Sequence, residues 1–188
     1  MDARKLLQKA QGLFIEGRHK ESINAFTESI TAGGETEIVF LSRGVAYLKT
    51  EQMEKAIEDF SRVIDLNVLN IRAYYYRGIT YLIKENHEKA ISDLDRTIEL
   101  KPDHGPAFFA RGTAYAQTGN DYEATRNIKT AITFSKANMQ AFSDSFGVFR
   151  PRFDKVMAIM TDKEKTPSFT LSVEEIETVK KWLDERYH

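Results

Sequence analysis

Three short segments recur in this 188-residue chain at a fixed interval of 34 residues. They occupy residues 43–47, 77–81 and 111–115, and each reads arginine, glycine, two variable residues and tyrosine, the variable residues being valine, isoleucine, threonine or alanine. A constant interval of this length is typical of a structural unit that is repeated and stacked. The repeat is therefore the strongest constraint on the fold.

The residues around these segments repeat with the same step and alternate between small and bulky side chains. Small residues near a helix axis let two helices approach closely, and side chains four apart share a helix face. The columns therefore predict pairs of antiparallel helices with turns at 17–19, 51–52, 85–86 and 119–120. The columns are Ala10, Gly44, Gly78 and Gly112; Leu13, Tyr47, Tyr81 and Tyr115; Ser22, Ala56, Ala90 and Ala124; and Phe26, Phe60, Leu94 and Ile128.

This order of small, aromatic, small and apolar residues resembles the tetratricopeptide repeat family, whose unit has the same length. The resemblance implies an all-α fold: a right-handed superhelical solenoid of four helix hairpins followed by C-terminal capping helices. The predicted units are 3–36, 37–70, 71–104 and 105–138. The second and third units are the best copies, and the third also closes with Pro102, whereas Gly34, Val68 and Lys136 stand in that column of the other units.

After residue 138 the rhythm stops while apolar residues continue. Phe142, Phe146 and Phe149 form one stripe at helical spacing, so residues 139–160 are predicted to be capping helices. Residues 161–171 are polar and contain Pro167, which predicts a linker. Residues 172–188 begin with a capping box and predict a terminal amphipathic helix, which packs on the preceding helices or enters a groove of its own or a neighbouring molecule.

The family geometry also implies a binding surface. In such arrays the first helix of each unit lines an inner groove, and its apolar and aromatic character predicts a protein or peptide partner that offers an apolar or amphipathic segment. An alternative is that neighbouring side chains or the C-terminal helix cover several of these residues. The predicted groove residues are Phe14, Leu41, Val45, Lys49, Arg72, Tyr75, Tyr76, Ile79, Phe109 and Thr113.

Members of the family that grip the C-terminal carboxylate of heat-shock chaperones use lysine, asparagine and arginine side chains. The corresponding positions here hold Leu7, Gln11, Ser42, Arg72 and Tyr76. Only Arg72 keeps the charge type, so the chaperone tail is disfavoured as a ligand.

Two further columns invite a functional interpretation. Arg43, Arg77 and Arg111 recur together with Asp59, Asp93 and Asn127 in the second helices. We interpret them as structural pairs in which each arginine lays its stem on the core, rather than as a phosphate ladder. His19 and His87 lie in equivalent places two repeats apart, which indicates packing instead of a shared metal ion.

Composition excludes several classes of site. Cysteine is absent, and 27 basic and 28 acidic residues are interleaved to a net charge of −1, so no bulk attraction to nucleic acid or to an anionic membrane is expected. Catalytic signatures, phosphate loops, metal motifs, an export signal and a membrane-spanning apolar run are also missing from the sequence. We therefore expect no catalytic residue, cofactor or metal, and a cytoplasmic location.

Together these features predict a non-catalytic scaffold or adaptor that binds a peptide segment in its groove. The alternative is a self-assembling or self-occluded module, possible as a homo-oligomer, whose C-terminal helix docks on a repeat array.

Overall fold

A computed structural model of the protein describes residues 2–134. The predicted capping helices (139–160), linker (161–171) and terminal helix (172–188), with the last residues of the fourth repeat, lie outside the described residues. Residues 2–134 form eight α-helices and contain no strand, so the predicted all-α class is confirmed for them. The helices are α1 (Ala3–Ile15), α2 (His19–Thr31), α3 (Glu37–Lys49), α4 (Met53–Leu66), α5 (Ile71–Ile83), α6 (His87–Leu100), α7 (Gly105–Gln117) and α8 (Asp121–Thr133).

The chain divides into two compact units, Met1–Lys84 and Glu85–His188. In the first unit, each of α1 to α4 packs against the helix that follows it, and α3 also contacts α1 and α5. In the second unit, α7 packs against both α6 and α8. The division into four repeats and the right-handed superhelix stay predictions.

The odd-numbered helices begin 34 residues apart because the same position always supplies the N-terminal cap. The capping side chains are Asp2, Thr36, Asn70 and His104, which accept hydrogen bonds from the amides of Lys5, Val39, Ala73 and Ala107 at 2.8, 3.4, 3.0 and 3.1 Å. Each cap satisfies one of the amides that a helix start leaves without a carbonyl partner. At His104 the acceptor is Nδ1, so this histidine serves its helix in the unprotonated form.

The turns within the helix pairs lie where the sequence predicts them. Gly17, Glu51, Glu85 and Gly119 occupy equivalent places and have φ of 77°, 60°, 60° and 79°. A left-handed backbone favours glycine, so the two glutamates hold a conformation that their side chains disfavour. A residue with positive φ therefore recurs at the same step in each of these four turns.

The predicted columns form the core. Phe26, Phe60, Leu94 and Ile128 are fully buried, as are Ala10, Ala56, Ala90 and Ala124. A Cβ atom placed on Gly44 would lie 2.6 Å from a ring carbon of Phe60, and one on Gly112 would lie 2.8 Å from Cγ1 of Ile128. Glycine at these two positions therefore allows the bulky residue of the second helix to reach the first helix, as the columns predict.

Candidate peptide-binding groove

A groove of about 360 Å³ lies in the first unit and is built mainly from the first helices of the helix pairs. Helix α1 contributes its C-terminal turn, α3 its N-terminal half, α5 its first turns, and α2 a single phenylalanine. The lining residues are Gln11, Phe14, Ile15, Phe26, Ile38, Leu41, Ser42, Val45, Arg72 and Tyr76. Most of these side chains are apolar, so the groove is suited to an apolar ligand group.

Five of the predicted site residues meet in this groove: Phe14, Leu41, Val45, Arg72 and Tyr76. Leu41 is buried, whereas Phe14, Val45 and Tyr76 are partly accessible and Arg72 is exposed. The Tyr76 ring stacks on the fully buried Phe60 ring at a centroid distance of 5.7 Å and an angle of 20°. The floor of the groove is therefore continuous with the core and rigidly placed.

The other predicted residues of the first unit lie elsewhere. Ile79 has no exposed surface, and Tyr75 is 8% exposed with its ring 5.4 Å from that of Tyr76. Burial, and to a smaller degree the charge of Tyr76, raises the pKa of Tyr75 well above its ordinary value. Lys49 is exposed on the last turn of α3 and does not line the groove.

Phe109 and Thr113 belong to the second unit and are buried there. Their exposed fractions are 6% and 0%. The Thr113 hydroxyl donates a hydrogen bond of 3.0 Å to the carbonyl of Phe109, one helical turn earlier. Both side chains thus contribute to packing within α7, and neither offers accessible surface in the described structure.

The two most exposed apolar residues of the groove were not predicted from the sequence. Ile15 is 85% exposed and Ile38 is 58% exposed. The repeat carries the signal that could have found them, because Ile15 shares its column with Lys49, and Ile38 shares its column with Arg72. Both columns were assigned to the groove, but the isoleucines in them were not.

The electrostatics of the groove depend on one cation. Arg72 makes no ion pair or hydrogen bond within residues 2–134. Gln11 and Ser42 are the other polar lining residues. A ligand here meets an apolar floor, two neutral polar groups and one positive charge.

The recurring arginines have a structural role, as the sequence predicts. Arg43 binds Asp59 through two hydrogen bonds of 2.8 and 2.7 Å, and its Nη1 donates to the Thr27 hydroxyl at 3.0 Å. Burial alone would lower the pKa of Arg43, but the hydrogen bonds and charge of Asp59 outweigh it and raise that pKa. The guanidinium also lies 5.7 Å from the centre of the Phe40 ring.

Each recurring arginine also has a partner in the preceding helix pair, which the sequence analysis did not predict. Each arginine also contacts the second helix of the preceding pair, 16 residues earlier in sequence: Arg43 reaches Thr27, Arg77 reaches Ser61 at 2.9 Å, and Arg111 forms an ion pair with Asp95. In α8, Asn127 accepts a 2.7 Å hydrogen bond from Arg111 in place of an aspartate. Each of these arginines therefore connects successive helix pairs.

The part of the chain that the structure describes holds neither a metal cluster nor a membrane-spanning helix. His19 packs its ring 5.0 Å from that of Phe14, which confirms its predicted packing role. Among residues 2–134, no group of three or more metal-binding side chains comes together. No helix in the same range is long and apolar enough to cross a membrane.

Comparison with known proteins agrees with this architecture. Models of the tetratricopeptide repeat match residues 71–104 and 39–67, so they cover the third predicted unit in full and most of the second. The chain therefore contains tetratricopeptide repeats.

Solved structures with this fold include several of MamA. One MamA structure is 25% identical, with a TM-score of 0.69 over 73% of this chain and 81% of that one. MamA from Desulfovibrio magneticus RS-1 is 16% identical, with a TM-score of 0.70 over 99% of this tetratricopeptide repeat chain and 96% of its own.

A further similar structure contains a bound peptide. It is the first tetratricopeptide repeat domain of Spaghetti (RPAP3) with the HSP90 peptide SRMEEVD, and it is 23% identical, with a TM-score of 0.52 over 70% of this chain and 91% of that one. At this level of identity the likeness shows the fold alone.

Proposed function

We propose that this tetratricopeptide repeat protein is a protein–protein interaction module that holds an apolar or amphipathic peptide segment in the groove of its first unit. The observation that carries the proposal is the exposure of Ile15 and Ile38 at the edge of an apolar groove. Exposed apolar groups beside a concave apolar site are typical of an interaction surface. The fold itself is used widely for binding extended or helical segments.

The side chains that can anchor a peptide are fewer than the sequence predicts. The accessible set is Phe14, Val45 and Tyr76 on the floor, with the two isoleucines at the edge. Burial of one leucine-sized ligand side chain here contributes about 1.5–3 kcal/mol before the cost of association is deducted. A segment with two or three such side chains is needed for useful affinity.

Arg72 adds a preference without changing the class of ligand. Its guanidinium is the one charged group of the groove lining, and it can bind a carboxylate or a helix C-terminus of the ligand. It does not create the carboxylate clamp of the chaperone-binding members, because Leu7, Gln11, Ser42 and Tyr76 supply no further charge. We propose that the SRMEEVD peptide is not a ligand of this groove.

The test uses a peptide selected against the full-length protein from a random display library. We expect selected sequences to be rich in apolar residues and to bind the Ile15→Asp/Ile38→Asp variant at least about tenfold more weakly, because two apolar contacts are lost. Leu69→Asp is the matched control, since Leu69 is 61% exposed in the same unit and does not line the groove. Equal binding of the selected peptide to both variants would exclude this groove as the site.

A further inference from the structure

A second cleft lies in the first unit, between α2 and the α3–α4 turn, and it differs in character from the groove. Its volume is about 640 Å³, and its lining is largely polar. The lining residues are Lys20, Ile23, Asn24, Thr27, Glu28, Tyr47, Gln52 and Lys55. We propose that this cleft is a second binding site, which takes an acidic peptide segment through its two lysines.

The positive charge of the cleft is held in place by its surroundings. Lys55 donates a 2.9 Å hydrogen bond to Oε1 of Gln52, and Gln52 in turn donates one of 2.9 Å to the Thr50 hydroxyl. The Lys55 ammonium and the Arg43 guanidinium lie 5.4 and 5.6 Å from the centre of the Tyr47 ring. Two cations are thus gathered at one aromatic side chain, and the polar contacts of Lys55 keep its charge oriented.

The described residues do not neutralise the charge of these lysines. Arg43 is paired with Asp59, but within residues 2–134 no carboxylate pairs with Lys20 or Lys55. Glu28 is the one acidic residue of the lining. A carboxylate of the ligand is therefore attracted most strongly to the lysine side of the cleft. Glu28 repels that carboxylate from the other side and so fixes the orientation of the peptide.

The second unit provides an internal comparison. Two repeat lengths after Lys20, Thr27 and Lys55, the chain carries Glu88, Asp95 and Glu123. Since the same helices form with glutamates at these places, lysines are not required there for packing. The basic character of the cleft in the first unit is consequently a property of its surface and not of the fold.

The same comparison shows where the cleft lacks a carboxylate. Asp95 forms an ion pair with Arg111, whereas at the equivalent place Thr27 offers Arg43 only a hydroxyl. The carboxylate partner of Arg43 is Asp59, and its equivalent in the second unit is the neutral Asn127, so the carboxylate stands at Asp95 there and the cleft wall at Thr27 is uncharged. An acidic segment bound at Lys20 and Lys55 brings carboxylates to the place where Asp95 stands in the later repeat, and this site is independent of the apolar groove.

The experiment measures binding of a fluorescein-labelled oligoglutamate peptide to the full-length protein by fluorescence anisotropy, with oligoglutamine as the uncharged probe. We expect Lys20→Glu/Lys55→Glu to weaken oligoglutamate binding about tenfold or more, because two attractive contacts become repulsive. Binding should also weaken as ionic strength rises to about 0.3 M. Oligoglutamine should not bind.

Two controls separate this proposal from its rivals. Lys5→Glu/Lys101→Glu changes the net charge equally at two exposed lysines outside the cleft, and it should leave binding within about twofold of the wild type. Equal losses in the two charge-reversed proteins would overturn the proposal, because bulk charge would then drive binding. The neutral pair Lys20→Gln/Lys55→Gln should also lose affinity, which guards against a folding defect in the glutamate variant.

The groove variant Ile15→Asp/Ile38→Asp should retain oligoglutamate binding. If it loses binding while Lys20→Glu/Lys55→Glu retains it, the acidic peptide binds at Arg72 in the groove, and the proposed cleft is wrong. A single-stranded oligonucleotide that displaces oligoglutamate at equal charge and binds more tightly would overturn the assignment to acidic peptides. An outcome that overturns the acidic-peptide site does not affect the proposed function of the groove, because that function is tested with an apolar peptide.

Discussion

Because α3 and α4 approach closely at Gly44, we expect an unusual effect of Gly44→Ala on the stability of the protein. In an exposed helix, this change normally stabilises a protein, because alanine favours the helix by about 1 kcal/mol relative to glycine. At Gly44 the added methyl group would lie 2.6 and 2.9 Å from two ring carbons of Phe60. Real Cβ atoms do not approach a neighbour so closely, so the ring or the helix must move.

The ring has little freedom to move away. Phe60 has no exposed surface, and its ring is stacked on that of Tyr76. Overpacking of a filled core costs about 1–3 kcal/mol. After the helix propensity gain is subtracted, we expect Gly44→Ala to lower the free energy of unfolding by up to about 2 kcal/mol.

Gly12 provides the matched control within the same unit. It also lies inside a helix, α1, but no atom lies within 4 Å of the position that its Cβ would take. We expect Gly12→Ala to stabilise the protein by about 0.5–1 kcal/mol. The two identical substitutions should therefore have opposite effects on stability and differ by up to about 3 kcal/mol.

Urea unfolding followed by circular dichroism at 222 nm measures both variants against the wild type. A double-mutant cycle with Phe60→Leu tests the cause, because a smaller side chain should reduce the penalty of Gly44→Ala. If Gly44→Ala stabilises the protein as much as Gly12→Ala does, or if Phe60→Leu leaves the penalty unchanged, the contact with Phe60 does not decide the effect.

Three further predictions concern caps, turns and the buried ion pair. Burial, and to a smaller degree the charge of Lys101, lowers the pKa of His104. The free energy of unfolding should therefore be constant above about pH 6.5 and fall as the pH drops through the lowered pKa. Melts measured over a series of pH values should show that His104→Asn removes this dependence. Gly17→Ala should destabilise by about 1 kcal/mol in urea unfolding although no atom lies nearby, because φ there is 77°. Asp59→Ala should cost about 2–4 kcal/mol by the same measurement and leave binding of the selected peptide unchanged, whereas Asp65→Ala on the exposed side of α4 should cost less than about 0.5 kcal/mol.

The sequence contains most of the information about the helices and their caps because these features depend on local residues at a fixed interval. The small and bulky columns predict which side chains meet, and Gly44 against Phe60 confirms it. The pairing of Arg43 with Asp59 is also confirmed. Each of these contacts lies within one helix pair, where the 34-residue step fixes the geometry.

The accessible part of the site was harder to predict. Tyr75 and Tyr76 are consecutive, and both belong to a first helix, yet only Tyr76 lines the groove. Successive residues on a helix point about 100° apart, so the choice between them depends on the side chains of neighbouring helices. Ile15 was missed for a different reason: at the end of α1 its accessibility depends on what the adjacent turn leaves uncovered.

The contact of each arginine with the preceding helix pair gives a rule for lengthening such a chain. A new helix pair inserted in register must place its own arginine within reach of a hydroxyl or a carboxylate supplied by the pair before it, as Thr27, Ser61 and Asp95 do. A consensus copy that carries the arginine but an alanine at this place would leave a partly buried donor without its acceptor at the seam. Duplication of a whole helix pair avoids that error, because each copy carries both an arginine for the pair before it and an acceptor for the pair after it.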